Sequence, residues 1–340
     1  MSLPDLTLVD DDPLLRRAAD RLQGPVLVTG ATGFVGANVV RALLDRGADV
    51  HVLVRPTSNV WRLQDVMSRL HVHVGDITDD ERVERAFSLS RPRVVLHLST
   101  PRGDDHEARR RIQDEVVLGA QTVARLVSKY SVERLIASGS SLEYGPSRIP
   151  LKEDTPLAPT TAHGLAKATA AMLLLQAATE ISTVCVLRLF HVYGPWESLH
   201  RLLPSIVRAA HDNTPLALTV PGIRRDWVHV EDVVDAMVRA TGGDGRAEVF
   251  NVGTGFEYSN EDVVDCFERT TGQRIERLTG AFPARVTDAA HRRADPSRAA
   301  EILGWVPRHD LAAGIRRTFE WWQAHPAVWS EPRGAPPVVC

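Results

Sequence analysis

Short apolar runs alternate with longer segments of helical period along the first half of the chain. The runs are Val26–Val28, Val50–Val54, Leu70–Val74, Val94–Leu98, Leu135–Ala137 and Val184–Leu189. Between them lie amphipathic or small-residue stretches at Gly36–Asp45, Glu81–Phe87, Arg109–Tyr130 and Leu165–Ala178. Continuous apolar strands bury both faces, so the alternation predicts a parallel sheet covered by helices on each side. The expected fold is α/β, a Rossmann-type doubly wound sheet over 25–190, with a smaller C-terminal mixed α/β substrate lobe. Beyond Tyr193 the alternation weakens and Pro195, Pro204, Pro215, Pro221 and Gly222 interrupt it. Residues 191–225 and 251–325 are assigned to the lobe, and 226–250 return to the first domain. Residues 1–24 read as an N-terminal extension holding a short helix capped by Asp12 with Pro13 first, and Gly24 ends it. The proline-rich residues 326–340 read as an irregular tail.

Composition narrows the class. Forty Lys+Arg stand against 43 Asp+Glu, a net charge of −3 that argues against a nucleic-acid partner. No apolar stretch approaches the roughly 18 residues of a membrane span; the best, Ala168–Ala178, is interrupted by Thr169 and Gln176. The acidic N-terminus lacks a signal-peptide pattern. Three scattered cysteines, Cys185, Cys266 and Cys340, suggest a reducing compartment and no metal cluster. The expected location is cytoplasmic.

The first apolar run leads directly into Thr29-Gly30-Ala31-Thr32-Gly33-Phe34-Val35-Gly36 and then a helical period. Strand, glycine-rich turn and helix in that order form a dinucleotide cradle. Gly30 allows the tight turn, Gly33 admits a pyrophosphate to the backbone, and Gly36 lets helix and strand pack closely. The helix N-terminus then faces the phosphates. After the second strand comes Arg55 rather than an acidic residue, which favours NADP over NAD because a guanidinium neutralises a 2′-phosphate.

Further motifs resemble the extended short-chain dehydrogenase/reductase family, in its nucleotide-sugar epimerase/dehydratase/ketoreductase branch. They are Gly75-Asp76-Ile77, Val94–Thr100, Gly139-Ser140-Ser141-Leu142-Glu143-Tyr144-Gly145, Leu187–Pro195, Arg225–Asp232, Asn251–Gly255, Arg285 with Asp288, Ala294-Asp295 and Leu303–Pro307. The resemblance spans about residues 25–320. It implies a cofactor held by Gly30, Gly33, Phe34, Val35, Gly36, Arg55, Asp76, Ile77, Leu98 and Lys167. It implies a nucleotide-sugar substrate touched by Ser141, Glu143, His191, Arg225 and Arg285, the two arginines clamping the diphosphate. It also implies a homodimer formed through helices near 109–130 and 165–178.

The family's catalytic set is Ser/Thr, Tyr and a Lys four residues after the Tyr. Ser140 and Lys167 match; the tyrosine position holds His163. Three readings follow: His163 replaces the tyrosine as acid/base, another group (Tyr144, Glu143, His191 or a water) moves the proton, or the redox chemistry is impaired. Ser141 and Leu142 stand where dehydratases carry Asp-Glu, which argues against 4,6-dehydration. The first-ranked activity is NADPH-linked reduction of a keto-deoxysugar. An NAD-dependent 4-epimerase or isomerase is the alternative, and a cofactor-binding protein with little turnover is a third.

Overall fold

A computed structural model describes residues 12–100, 106–178, 182–282 and 291–329. All six apolar runs are strands of one parallel sheet: β1 (Pro25–Thr29), β2 (Asp49–Val54), β3 (His71–Val74), β4 (Val94–His97), β5 (Arg134–Ser140) and β6 (Thr183–Leu189). A seventh strand, β10 (Ala247–Val252), joins β6 in parallel, giving the order β10-β6-β5-β4-β1-β2-β3. The order reverses between β1 and β4, which opens a crevice at the carboxyl ends of those strands.

Each sheet face carries its own apolar layer. Val26, Val28, Val50 and Val52 pack with α2 (Phe34–Asp45) and α7 (Val230–Thr241). Leu27, Leu53, Val95 and Leu135 pack with α3 (Asp80–Ser90), α4 (His106–Lys129) and α5 (Ala162–Gln176). Successive strand residues thus enter opposite layers, as the period of two requires.

The lobe has a separate aromatic core. Trp196, Trp227, Phe267, Trp321 and Trp322 pack among α6 (Leu202–Asp212), α8 (Asn260–Thr271) and α10 (Leu311–Ala324). Beside it lie a three-stranded sheet of β7 (His191–Tyr193), β9 (Arg224–His229) and β11 (Glu257–Ser259), and the pair β8 (Leu216–Thr219) with β12 (Arg277–Phe282). Asn38 on α2 donates to the Pro195 carbonyl (3.0 Å) and Arg62 to that of Trp196 (2.8 Å), fastening the lobe to the sheet domain.

The chain returns differently from the sequence expectation. Residues 224–229 stay in the lobe's sheet, and the return is made by α7 and β10. Helix α9 (Ser297–Leu303), expected in the lobe, puts Ala299 and Leu303 into the main core together with Trp305. The extension is also part of the sheet domain. Asp12 caps α1 (Pro13–Leu22), and Arg17 and Arg21 donate to the carbonyls of Gly242, Thr241 and Gly243 at the end of α7. Helical period alone could not show these docking partners. Among the described residues, no helix is long and apolar enough to cross a membrane.

Candidate active site

The first crossover turn is packed too tightly for side chains at two of its glycines. Gly30 has φ 72°, and a Cβ there would lie 2.5 Å from the Leu98 carbonyl carbon. A Cβ on Gly36 would lie 2.2 Å from the Gly30 oxygen, so any side chain would push α2 off the turn. Gly33 is the N-cap of α2 and provides no side-chain cap bond, which leaves the leading N–H groups for an anion. The partly buried Phe34 side chain packs on the lobe core and that of Val35 on the main core. Leu98 closes the opposite wall, its N–H bonded to the Thr29 carbonyl (3.1 Å). Beneath it, Thr29 Oγ1 meets His97 Nδ1 at 2.8 Å, and burial depresses the His97 pKa to about 3.

At the end of β3, Asp76 Oδ1 accepts from Thr78 N (2.9 Å) and Oγ1 (2.8 Å), while Ile77 is buried. Arg55 is exposed where β2 ends, with its Nη1 3.6 Å from Glu115 Oε2 on α4. In the sequence Arg55 stands apart from any carboxylate in its motif. The Glu115 carboxylate, sixty positions away, offsets part of its charge and puts an acidic group at the same end of the crevice.

Ser140 ends β5 with extended backbone and caps a single 3₁₀ turn, Ser141–Glu143. Ser140 Oγ accepts from Leu142 N (3.2 Å), so its proton can point elsewhere. The first turn of α5 rests on this 3₁₀ turn. A Cβ on Gly164 would lie 2.1 Å from the Leu142 carbonyl oxygen, so glycine is required for the approach. Thr161 caps α5 through Gly164 N (2.9 Å). His163 and Lys167, one helical turn apart, share a face. Lys167 is buried, and its Nζ donates to Ser138 O (2.8 Å) and Ser138 Oγ (3.1 Å) on β5.

Both groups are shifted toward neutrality. Burial, then the Lys167 charge, lowers His163 to about 4. Burial lowers Lys167 to about 8, opposed by the Glu143 carboxylate. Burial and the neighbouring charge thus both favour the neutral imidazole of His163 near neutral pH. It sits beside a lysine that is still mostly charged.

Glu143 was expected to touch substrate; the structure places it inside the protein instead. It is fully buried, with Oε1 accepting from Ser140 N (2.7 Å) and Oε2 from Arg188 Nε (2.8 Å). Arg188 Nη1 donates to the Tyr144 hydroxyl (2.7 Å), which donates to Asn251 Oδ1 (2.9 Å). Tyr144, also considered as a proton carrier, is fully buried, and burial pushes its pKa up. Both residues are thus committed to one network that fixes the backbone of Ser140. The sequence carried a signal for it: Arg188 is the one charge within an apolar strand, and a buried guanidinium needs a carboxylate.

Ser141 is buried in the same turn. His191 on β7 lies against Trp227, ring centroids 4.2 Å apart, and its pKa is held well below the usual value by burial and then by Arg201, Arg225 and Arg292. Arg201, Arg225 and Arg292 thus lie near enough for their charges to act on His191. Arg285 lies outside the described residues. Asp226, passed over in the sequence as a motif residue, is a buried hub: it accepts from Thr254 N (2.7 Å), Thr254 Oγ1 (2.7 Å), Gly255 N (2.9 Å) and Ala294 N (2.9 Å). It ties two segments, Thr254–Gly255 and Ala294, to β9 beside Arg225.

Comparisons with known proteins agree with this geometry. The model of the NAD dependent epimerase/dehydratase family matches residues 26–253. A UDP-glucose 4-epimerase of Lactobacillus helveticus is 27% identical over 331 residues, covering 90% of this chain and 99% of the relative. The crystal structure of UDP-glucose 4-epimerase from Thermotoga maritima with UDP-glucose is similar at a TM-score of 0.81 and 29% identity, covering 89% of this chain and 99% of that one. The Bordetella bronchiseptica enzyme WbmG, solved with NAD and UDP, is similar at a TM-score of 0.77 and 27% identity, covering 88% and 95%.

Proposed function

The chain belongs to the NAD dependent epimerase/dehydratase family, and from this premise we propose that it is a redox 4-epimerase of a nucleoside diphosphate sugar, with UDP-hexoses as the first substrates to test. One observation carries the choice over the keto-deoxysugar reductase ranked first from sequence: His163 is partly buried one helical turn from Lys167, and burial and that charge both favour its neutral imidazole. A reductase must begin with a protonated donor, which an imidazole with a pKa of about 4 rarely offers. An epimerase begins by removing a hydroxyl proton, which a neutral imidazole can accept. The full-length likeness to UDP-glucose 4-epimerases supports the same choice.

The residues at the crossover turn fit a dinucleotide: Gly30 and Gly36 let β1, Leu98 and α2 pack tightly, and the N-terminus of α2, capped by no side chain, leaves N–H groups for a pyrophosphate. Bound there, NAD would supply a hydride acceptor that later returns the hydride to the opposite face of the sugar. Gly30, Gly33 and the N–H groups of Phe34, Val35 and Gly36 would hold its pyrophosphate, and Lys167 its nicotinamide-side ribose. We favour NAD over NADP because Glu115 pairs with Arg55, the one group the sequence offers at this strand end to neutralise a 2′-phosphate, and adds a negative charge beside it. In the first half-reaction the Ser140 hydroxyl donates to the sugar C4 oxygen while His163 takes the hydroxyl proton. Lys167, positive below pH 8, lies one turn away; its charge opposes this uptake but makes the imidazolium readier to return the proton. In the second half the imidazolium gives the proton back to the C4 oxygen. Arg225 and Arg285 would hold the diphosphate throughout.

Three tests follow. Denaturing the purified protein and identifying the released nucleotide should yield NAD. NADP, together with no interconversion of UDP-glucose and UDP-galactose, would reverse the choice of epimerase over reductase. The pH profile of kcat/KM should be flat near neutrality. It should fall on the acid side as His163 is protonated near pH 4, and on the alkaline side as Lys167 loses its charge near pH 8. An acid limb near pH 6.5 would mean that an unperturbed group carries the proton.

The assembly proposed is a homodimer through α4 and α5. Leu118, Leu165 and Met172 on these helices are exposed, at 47%, 48% and 56%. Apolar side chains of this size on two adjacent helices suit a partner copy. A Leu118→Glu/Met172→Glu double variant should show a monomer mass by light scattering; an unchanged dimer would place the interface elsewhere.

A further inference from the structure

Far from the cleft, at the opposite ends of β2 and β3, four polar side chains converge on the free edge of the main sheet. Positions 49 and 51 of β2 and 71 and 73 of β3 point to the same face, with His51 directly opposite His71. Asp49 Oδ2 lies 3.4 Å from His51 Nε2, and Asp49 Oδ1 lies 3.2 Å from His71 Nε2. The carboxylate and the two imidazoles each offer one ligand atom, all within 4.8 Å of one another. Behind them, His51 Nδ1 meets His73 Nε2 at 2.9 Å. His51 stacks on both neighbours, with centroids 4.6 Å from His71 and 5.2 Å from His73.

We propose that Asp49, His51 and His71 form a binding site for a divalent first-row transition ion of the zinc class, with His73 orienting His51. Ligand atoms about 2.0–2.2 Å from a tetrahedral zinc lie roughly 3.3 Å apart, the spacing already present from Asp49 to each imidazole. Two imidazoles and a carboxylate suit zinc, nickel or copper rather than magnesium or calcium. Metal-bound histidines ordinarily give their second ring N–H to a partner, and the His51–His73 pair provides this. His71, on the edge strand and largely exposed, can close on the ion while a fourth position stays open to water.

A second group, His229, Glu231 and His309, shows what a committed cluster looks like. Arg317 Nε holds Glu231 Oε1 (3.2 Å), Asp232 Oδ1 holds His309 Nδ1 (3.0 Å), and Thr318 Oγ1 faces His229 Nε2 (3.3 Å). An arginine already supplies the cation there. Among the described residues, the ion-pair partners of Asp49 are the two histidines alone.

The test is calorimetric titration of zinc chloride into tag-free, full-length protein in metal-free buffer. Wild type should take up one zinc per chain and gain thermal stability with it. His71→Ala and Asp49→Asn alter exposed side chains, and circular dichroism checks that they fold; each should weaken binding at least tenfold and abolish the zinc-dependent rise in Tm. His73→Ala should weaken it by about tenfold or more, as loss of an outer partner does. No uptake by wild type, or equal uptake by wild type, His71→Ala and Asp49→Asn, would overturn the assignment.

Discussion

Replacing His163 by alanine should lower kcat for nucleotide-sugar isomerisation by about 10²–10⁴-fold, the usual worth of a positioned acid/base group. KM and bound nucleotide should change little, because Lys167 and the glycine turn hold the cofactor without the imidazole. His163→Tyr is the informative partner. It restores a phenol one turn before Lys167 and should retain activity, with the acid limb of kcat/KM displaced upward from pH 4, since a phenol titrates well above a buried imidazole. If alanine at 163 left kcat intact, proton transfer would have to be reassigned, and His191 would be next, since Glu143 and Tyr144 are enclosed in the fold.

The second large effect belongs to a residue that touches no substrate. Glu143→Ala removes the acceptor of both the Ser140 N–H and Arg188 Nε, leaving a buried guanidinium without its carboxylate. Breaking a buried pair in this way costs about 3–5 kcal/mol, read as a lower urea midpoint. It should also lower kcat more than it raises KM, because the backbone of Ser140 loses its tether. Glu143→Gln keeps an oxygen for the Ser140 N–H and should recover part of kcat while remaining less stable than wild type. Unchanged stability in Glu143→Ala would show that the Tyr144 and Glu153 contacts suffice to hold Arg188. Gly139 belongs to the same device: a Cβ there would lie 2.6 Å from Glu143 Oε1.

Local pattern disclosed the sheet, because most of its strands are written as buried apolar runs, and consecutive strands pair except across the β3–β4 crossover. It could not disclose the docking of β10, α9 or α1, which depends on contacts distant in the chain: β10 pairs with β6, Arg239 on α7 donates to Leu303 of α9 across 64 positions, and Arg17 of α1 reaches Gly242 across 225. The Gly30–Gly36 turn and the Lys167 register were legible for the same reason: both are local geometry. Glu143 was misjudged because its motif neighbours line the cleft, whereas its own side chain turns inward to Arg188, forty-five positions on. Arg55 was read without Glu115 for a like reason. The neutral state of His163 was anticipated in direction from Lys167, but the larger cause is burial, and burial is a property of the fold.

Redox epimerisation in this cleft can be tested most directly with UDP-galactose carrying deuterium at C4. The hydride removed from the sugar should return to the same sugar, so the UDP-glucose formed should keep the label at C4 by mass spectrometry, with no deuterium gained from heavy water in the reverse experiment. Product that has exchanged its C4 hydrogen with solvent, or no product at all from protein shown to contain NAD, would contradict it.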